Sequence, residues 1–190
     1  ELGFTSVNLN FGCPSGTVVS KRKGAGFLAD PKELEMLLEE VLEKSPLAVS
    51  VKTRVGIKDP DEWEALCTAY AKFPLEELII HPRLQIDYYS GTPRMETFAR
   101  ALEQIHVPLC YNGDICSAED YKKVTAAFPA IDRIMIGRGL LENPGLVGSS
   151  SSAASDVYKR QFPDREKYLK LIRKCQSLPE YKLIVQQIFS

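Results

Sequence analysis

Leu47-Ala48-Val49-Ser50-Val51-Lys52-Thr53 alternates apolar and polar side chains, with Val49 and Val51 on one face and Ser50 and Lys52 on the other. A two-residue period of this kind marks a strand. Asp59-Pro60-Asp61-Glu62 then offers a helix start: a capping carboxylate, a proline in the first turn and an acid at the third helical position. A second apolar run, Glu76–His81, closes the unit, with Leu78 and Ile80 opposing Ile79 and His81. Strand, helix and strand in this order make a βαβ unit, whose crossover is right-handed.

The unit recurs on both sides. Ser6–Phe11, Val107–Asn112 and Asp132–Gly137 read as further strands, short and rich in Val, Ile and Leu, as strands of a covered parallel sheet are. In Ser6–Phe11, Val7, Leu9 and Phe11 take one face, and Asn8 and Asn10 the other. Asp30-Pro31-Lys32-Glu33, Thr92-Pro93 and Ser117-Ala118-Glu119-Asp120 open further helices. Leu34, Leu37, Leu38, Val41 and Leu42 form one apolar helical stripe. Two architectures accommodate this repeat, an open doubly wound sheet and a closed (β/α)8 barrel, and the repeat alone does not choose between them.

The 190 residues are 44% hydrophobic and 26% charged, an ordinary globular balance with enough apolar mass for one sizeable core. No stretch approaches the roughly 18 apolar residues of a membrane span. No charged-then-apolar N-terminal signal is visible either, so the default location is cytoplasmic. Five cysteines, an odd number without a C-x-x-C pair, argue against a disulfide framework or a zinc site. Most of them are expected inside as small apolar residues, with Cys13 the exception. The net charge of −1 gives no global support for a nucleic-acid partner, so any such case rests on local charge.

The polar residues at strand ends carry the chemistry. Asn10, Lys52 and His81 all sit at the C-terminal ends of strands and point away from the apolar faces, where barrel enzymes place their sites. Taken singly, each has a structural reading: a turn former, a solvated lysine, a packed histidine. Several strands in succession ending this way favour a cluster. Asn112-Gly113-Asp114 and Gly137-Arg138-Gly139 end the next two strands. Glycine lets backbone N–H groups approach an anion, and late barrel loops of this kind form phosphate sites. Phe11-Gly12-Cys13-Pro14 puts a thiol on a loop at the same end, where mobility and access allow it to donate a proton or act as a nucleophile. His81 and His106 are the only histidines, and His106 precedes a strand at its remote end. No Ser/His/Asp arrangement is supported, and metal catalysis is disfavoured.

At these residues the chain resembles the tRNA-dihydrouridine synthase family. The resemblance runs in order through Asn10-Phe11-Gly12-Cys13-Pro14, Val51-Lys52-Thr53-Arg54-Val55-Gly56, Ile80-His81-Pro82-Arg83, Tyr89-Ser90-Gly91, Asn112-Gly113-Asp114-Ile115, Ile136-Gly137-Arg138-Gly139 and Asn143-Pro144. It implies an FMN-binding barrel of which residues 1–147 are about the last five strand-helix units, the early strands being missing. Cys13 would protonate C5 of uracil as hydride reaches C6. Lys52 would contact the flavin near its N1/O2 edge, with His81 beside the ring. Asn112, Gly113, Asp114, Gly137 and Arg138 would hold the ribityl phosphate, and Asn10 and Arg54 would place a flipped-out base. The implied substrate is tRNA and the implied reductant NADPH. The implied protein is monomeric at full length, free of metal and not attached to a membrane. Lys21-Arg22-Lys23 could touch RNA phosphates in that context.

Beyond the barrel the texture changes. Residues 148–161 read as a Ser/Ala-rich linker or a sequence artefact, with Ser149–Gln161 resembling a translated adapter. Residues 162–190 hold two amphipathic helices, about Asp164–Gln176 and Pro179–Phe189, expected to begin the family's helical tRNA-binding domain. From Lys159 onward eight Lys/Arg face three Asp/Glu, a modest basic bias. Two other functions fit the same residues: another FMN barrel oxidoreductase on a small molecule, dihydroorotate dehydrogenase-like, or an inactive flavin- or phosphate-binding fragment.

Overall fold

Each apolar run becomes a parallel strand. A computed structural model describes residues 4–131 and 133–146. Its strands are β1 (Ser6–Phe11), β2 (Ala48–Arg54), β3 (Glu77–His81), β4 (Leu109–Asn112) and β5 (Arg133–Met135). They form one sheet in the order β1-β2-β3-β4-β5, parallel throughout. A doubly wound sheet reverses its order at a switch point; an unbroken sequential order belongs to consecutive units of a (β/α) barrel. The fold is a partial (β/α)8 barrel. Two compact units emerge from its contacts, residues 1–114 with 125–135, and residues 115–124 with 136–190.

The helices are α1 (Gly16–Val19), α2 (Pro31–Lys44), α3 (Glu62–Ala71), α4 (Met95–Gln104), α5 (Ala118–Ala127) and α6 (Arg138–Glu142). Asp30 caps α2 by accepting from the N–H groups of Lys32 and Glu33, and Leu34 and Leu38 of its apolar stripe are buried. Ser117 and Asp120 form a reciprocal cap at α5: the Ser117 N–H donates to Asp120 at 3.0 Å, and the Asp120 N–H donates to Ser117 Oγ at 3.1 Å. Trp63 and Tyr70 of α3 are buried polar-tipped anchors. Trp63 donates to the Thr97 carbonyl at 3.0 Å, and the Tyr70 hydroxyl donates to Thr53 Oγ1 of β2 at 2.9 Å. Phe98, Tyr111 and Phe128 pack edge-on and tilted at 4.9 to 6.1 Å between centroids, joining α4 to β4.

Several boundaries differ from the sequence reading. β4 starts at Leu109, because Pro108 has no N–H to give the ladder; only its carbonyl takes part, accepting from Leu78 at 2.9 Å. α3 starts at Glu62, not Pro60. The Glu62 carboxylate turns back to accept the N–H groups of Ile57, Lys58 and Asp59, which orders the preceding turn instead of extending the helix. β5 is confined to Arg133–Met135, and Gly137 caps α6. α1 and a 3₁₀ segment at Gly24–Ala29 fill a stretch read only as loop. The segment 148–161 and the two C-terminal helices lie outside the described residues.

Alternation sets the two faces of the sheet. Val49, Val51, Thr53, Leu78, Ile80 and Tyr111 are buried on the helix side. The other face carries Asn10, Lys52, Arg54, His81 and Asn112, all near the C-terminal strand ends.

Candidate active site

Register brings the polar residues into rows. Asn10 pairs with Lys52, and one step further along the strands Arg54 pairs with His81. Lys52 is part-buried. A Cβ on Gly12 would stand 3.6 Å from its Nζ and 3.4 Å from Asn10 Oδ1, so the glycine leaves the ammonium a bare approach. Lys52 has no hydrogen bond or ion pair among the described residues. Burial, with the charge of Arg54 second, brings its amine down to about 8. Asn10 Oδ1 accepts the Gly12 N–H at 2.9 Å, turning the chain off β1.

Arg54 is 1% exposed and is a clamp. It donates to the carbonyls of Gly12 (3.0 Å), Leu84 (2.7 Å) and Tyr88 (2.6 Å), and its guanidinium carbon lies 5.5 Å from the centroid of the Tyr89 ring. The Tyr88 backbone it holds has φ +49°, strained for a bulky side chain. His81, 7% exposed, stands among the cations of Lys52, Arg54 and Arg83. Burial first and those charges second push its imidazole down to about 3.

The backbone of the Cys13 loop is held by hydrogen bonds from three elements. Three successive carbonyls accept from three different places: Gly12 from Arg54, Cys13 from the Ala25 N–H at 3.0 Å, and Pro14 from Gln85 Nε2 at 2.9 Å. Gly24, at φ +54°, packs so closely on Cys13 that a Cβ there would lie 2.8 Å from the Cys13 carbonyl. The thiol itself remains part-exposed. A fixed backbone presenting an accessible thiol is suited to proton delivery at a set place.

With this geometry in hand, relatives are informative. The sequence profile described as dihydrouridine synthase matches residues 1–188. The chain belongs to the dihydrouridine synthase family. It is 34% identical over 185 residues to the tRNA-dihydrouridine(16) synthase of Pseudomonas putida, covering 96% of this chain and 57% of that protein. It is 33% identical over 150 residues to tRNA-dihydrouridine synthase B of Pasteurella multocida, covering 77% and 44% respectively. The probable tRNA-dihydrouridine synthase 2 of Bacillus subtilis is 34% identical over 149 residues, covering 76% and 45%. The chain thus spans about half the length of the curated relatives it matches.

In this member of the family, Asn10, Cys13, Lys52, Arg54, His81, Asn112, Gly113 and Asp114 lie at or just beyond the C-terminal ends of β1 to β4, within one compact unit. Asn112 Nδ2 donates to the Met135 carbonyl at 2.9 Å, tying β4 to β5. Gly113 is buried, and a Cβ on it would stand 3.0 Å from the Tyr111 hydroxyl. Gly137 and Arg138 belong to the other unit, where both are exposed and Gly137 has open space around it. Sequence reasoning missed Arg83 and Gln85 as site residues. Arg83 lay inside a quoted motif, two residues past His81, yet an arginine beyond a strand end looks solvated until its partner is known. Among the described residues no group of His, Cys, Asp and Glu could hold a metal ion, and no helix is long and apolar enough to cross a membrane.

Proposed function

We propose that the protein reduces the uracil C5–C6 double bond of a tRNA uridine to dihydrouridine, with FMN as cofactor and NADPH as reductant. The observation that carries this reading is Lys52: a part-buried ammonium with no counter-ion among the described residues, beside bare Gly12 and close to Arg54 and His81. The nearby carboxylates of Asp114 and Asp87 are already paired, with Arg83 and Arg94. Such a cation-rich mouth fits the electron-rich edge and the phosphate of a flavin mononucleotide. Family membership supports the rest.

Bound FMN supplies the hydride chemistry, and NADPH restores it. In this reading the Lys52 ammonium would help hold the flavin and stabilise negative charge on it. At about 8 its pKa keeps it mostly charged at neutral pH. His81, held neutral, lines the ring. The Cys13 thiol gives its proton to C5, on the side opposite the hydride. Asn10 orients the base through its amide Nδ2, which has no partner among the described residues. Arg54 positions the base, through the loops it clamps, once the nucleotide has left its stack. Backbone N–H groups of Asn112, Gly113 and Asp114 hold the phosphate.

The test is to supply purified protein with FMN, NADPH and an unmodified tRNA transcript, and to digest the RNA for mass spectrometry of its nucleosides. Dihydrouridine that requires all three additions is expected. Flavin that binds and is bleached by NADPH without any tRNA product would move the reading to a small-molecule substrate. Failure to bind FMN would overturn it.

A further inference from the structure

Arg83 is fully buried, and every one of its donors is used. Nε donates to the Ser90 carbonyl at 3.0 Å. One terminal nitrogen donates to Asp114 Oδ1 at 2.7 Å and lies 3.3 Å from His81 Nε2. The other donates to Asp114 Oδ2 at 2.5 Å and to the Gly91 carbonyl. A guanidinium has five N–H groups, and here there are five acceptors on four different residues. No donor is left for a ligand, so Arg83 can act on the reaction only through what it holds.

Its contact with His81 has one chemical meaning. Arginine can donate but not accept, and it does not lose its proton in proteins. His81 Nε2 must therefore be the acceptor, and the ring proton must sit on Nδ1. We propose that Arg83 is a positioning residue: it fixes His81 as the neutral Nδ1–H tautomer and locks that ring to the Asp114 turn after β4. Putting a second proton on Nε2 would set two donors against each other. The charges facing the ring also oppose it: Lys52 and Arg54 from β2, Arg83 from beyond β3, and only Asp114 in favour, its carboxylate already held by Arg83. His81 is thereby a hydrogen-bond donor at Nδ1 and has no proton to give at Nε2. This leaves Cys13 as the acid of the site. That His81 faces the flavin rests on the function proposed above; its tautomer does not.

The chain has two histidines, and His106 is exposed, so imidazole nitrogen–proton correlation NMR carries its own reference. His81 is expected to show the Nδ1–H pattern and no titration between about pH 5 and 8. An Nε2–H pattern, or His81 titrating within that range, would overturn the proposal. In Arg83→Met the ring is expected to populate both tautomers and to begin titrating in that range. If that variant does not fold, Asp114→Asn, which frees the guanidinium to turn, should mix the tautomers in part. A folded variant with the tautomer unaltered would show that Arg83 does not set it. An Nδ1–H His81 in a protein that makes no dihydrouridine would sink the proposed function and leave this inference standing.

Discussion

The two ends of the sheet treat the same side chain in opposite ways. At the C-terminal ends of β2 and β3, His81 is enclosed by Lys52, Arg54 and Arg83, and its ring is held neutral down to about 3. At the other end, before β4, His106 is exposed beside a hollow lined by Ile105, Pro108, Leu109, Ala130 and Ile131. The first end has a guanidinium with saturated donors, an ammonium with no counter-ion among the described residues, and a thiol loop held at three carbonyls; the second has mostly apolar lining and, among the described residues, no charged partner for its histidine. Burial and charge, rather than residue type, therefore set the two ends apart.

The largest way to break this contrast is at the thiol. Cys13→Ala should lower dihydrouridine formation by roughly 100-fold or more, the range of a general acid, while the protein keeps its flavin absorbance. Normal turnover would remove Cys13 from the mechanism. Next is Arg83→Met, which strips five acceptors of their donor. It should cost roughly 2 kcal/mol in denaturant unfolding, the penalty of polar groups left unsatisfied, with the Asp114 carboxylate itself partly exposed. By contrast, Lys44→Met, which breaks the solvent-exposed pair of Lys44 with Glu40 at 2.7 Å, should leave the midpoint where it was. An equal response of the two variants would dissolve the distinction between the ends.

Lys52→Ala should weaken FMN binding about tenfold, the worth of one hydrogen bond to a charged group; unchanged binding and reduction rates would count against its role. The last effect, absent at neutral pH, is on stability as the pH falls. Unfolded, His81 takes up a proton near 6.5; folded, only near 3. The unfolded chain therefore binds the proton first, and the His81 contribution to stability, complete above 6.5, is lost as pH falls toward 3. His81→Gln should flatten that part of the profile; an unchanged profile would count against the depressed imidazole.

Much of the fold was legible because strands announce themselves. The alternation of Val49, Ser50, Val51 and Lys52 fixes which side chains share a face, and β1 was placed at Ser6–Phe11 in sequence and structure alike. The same alternation set Lys52 and His81 on one side of the sheet. Less visible was anything decided across distance. Arg83 meets Asp114 31 residues later, and Gln85 meets Pro14 71 residues earlier. Neither span leaves a local signal. α1 has four residues, too few for a helical period to show. The α3 boundary was misread because Glu62 could serve either as the third helical residue or as a cap for the turn before it, and only the folded turn discriminates.

The account stands on flavin entering at the C-terminal strand ends, and an FMN titration followed through the two imidazoles tests that most directly. The His81 resonances should move with saturable flavin occupancy while those of His106 stay still. Flavin bound tightly with His81 unmoved, or with His106 responding instead, would contradict it.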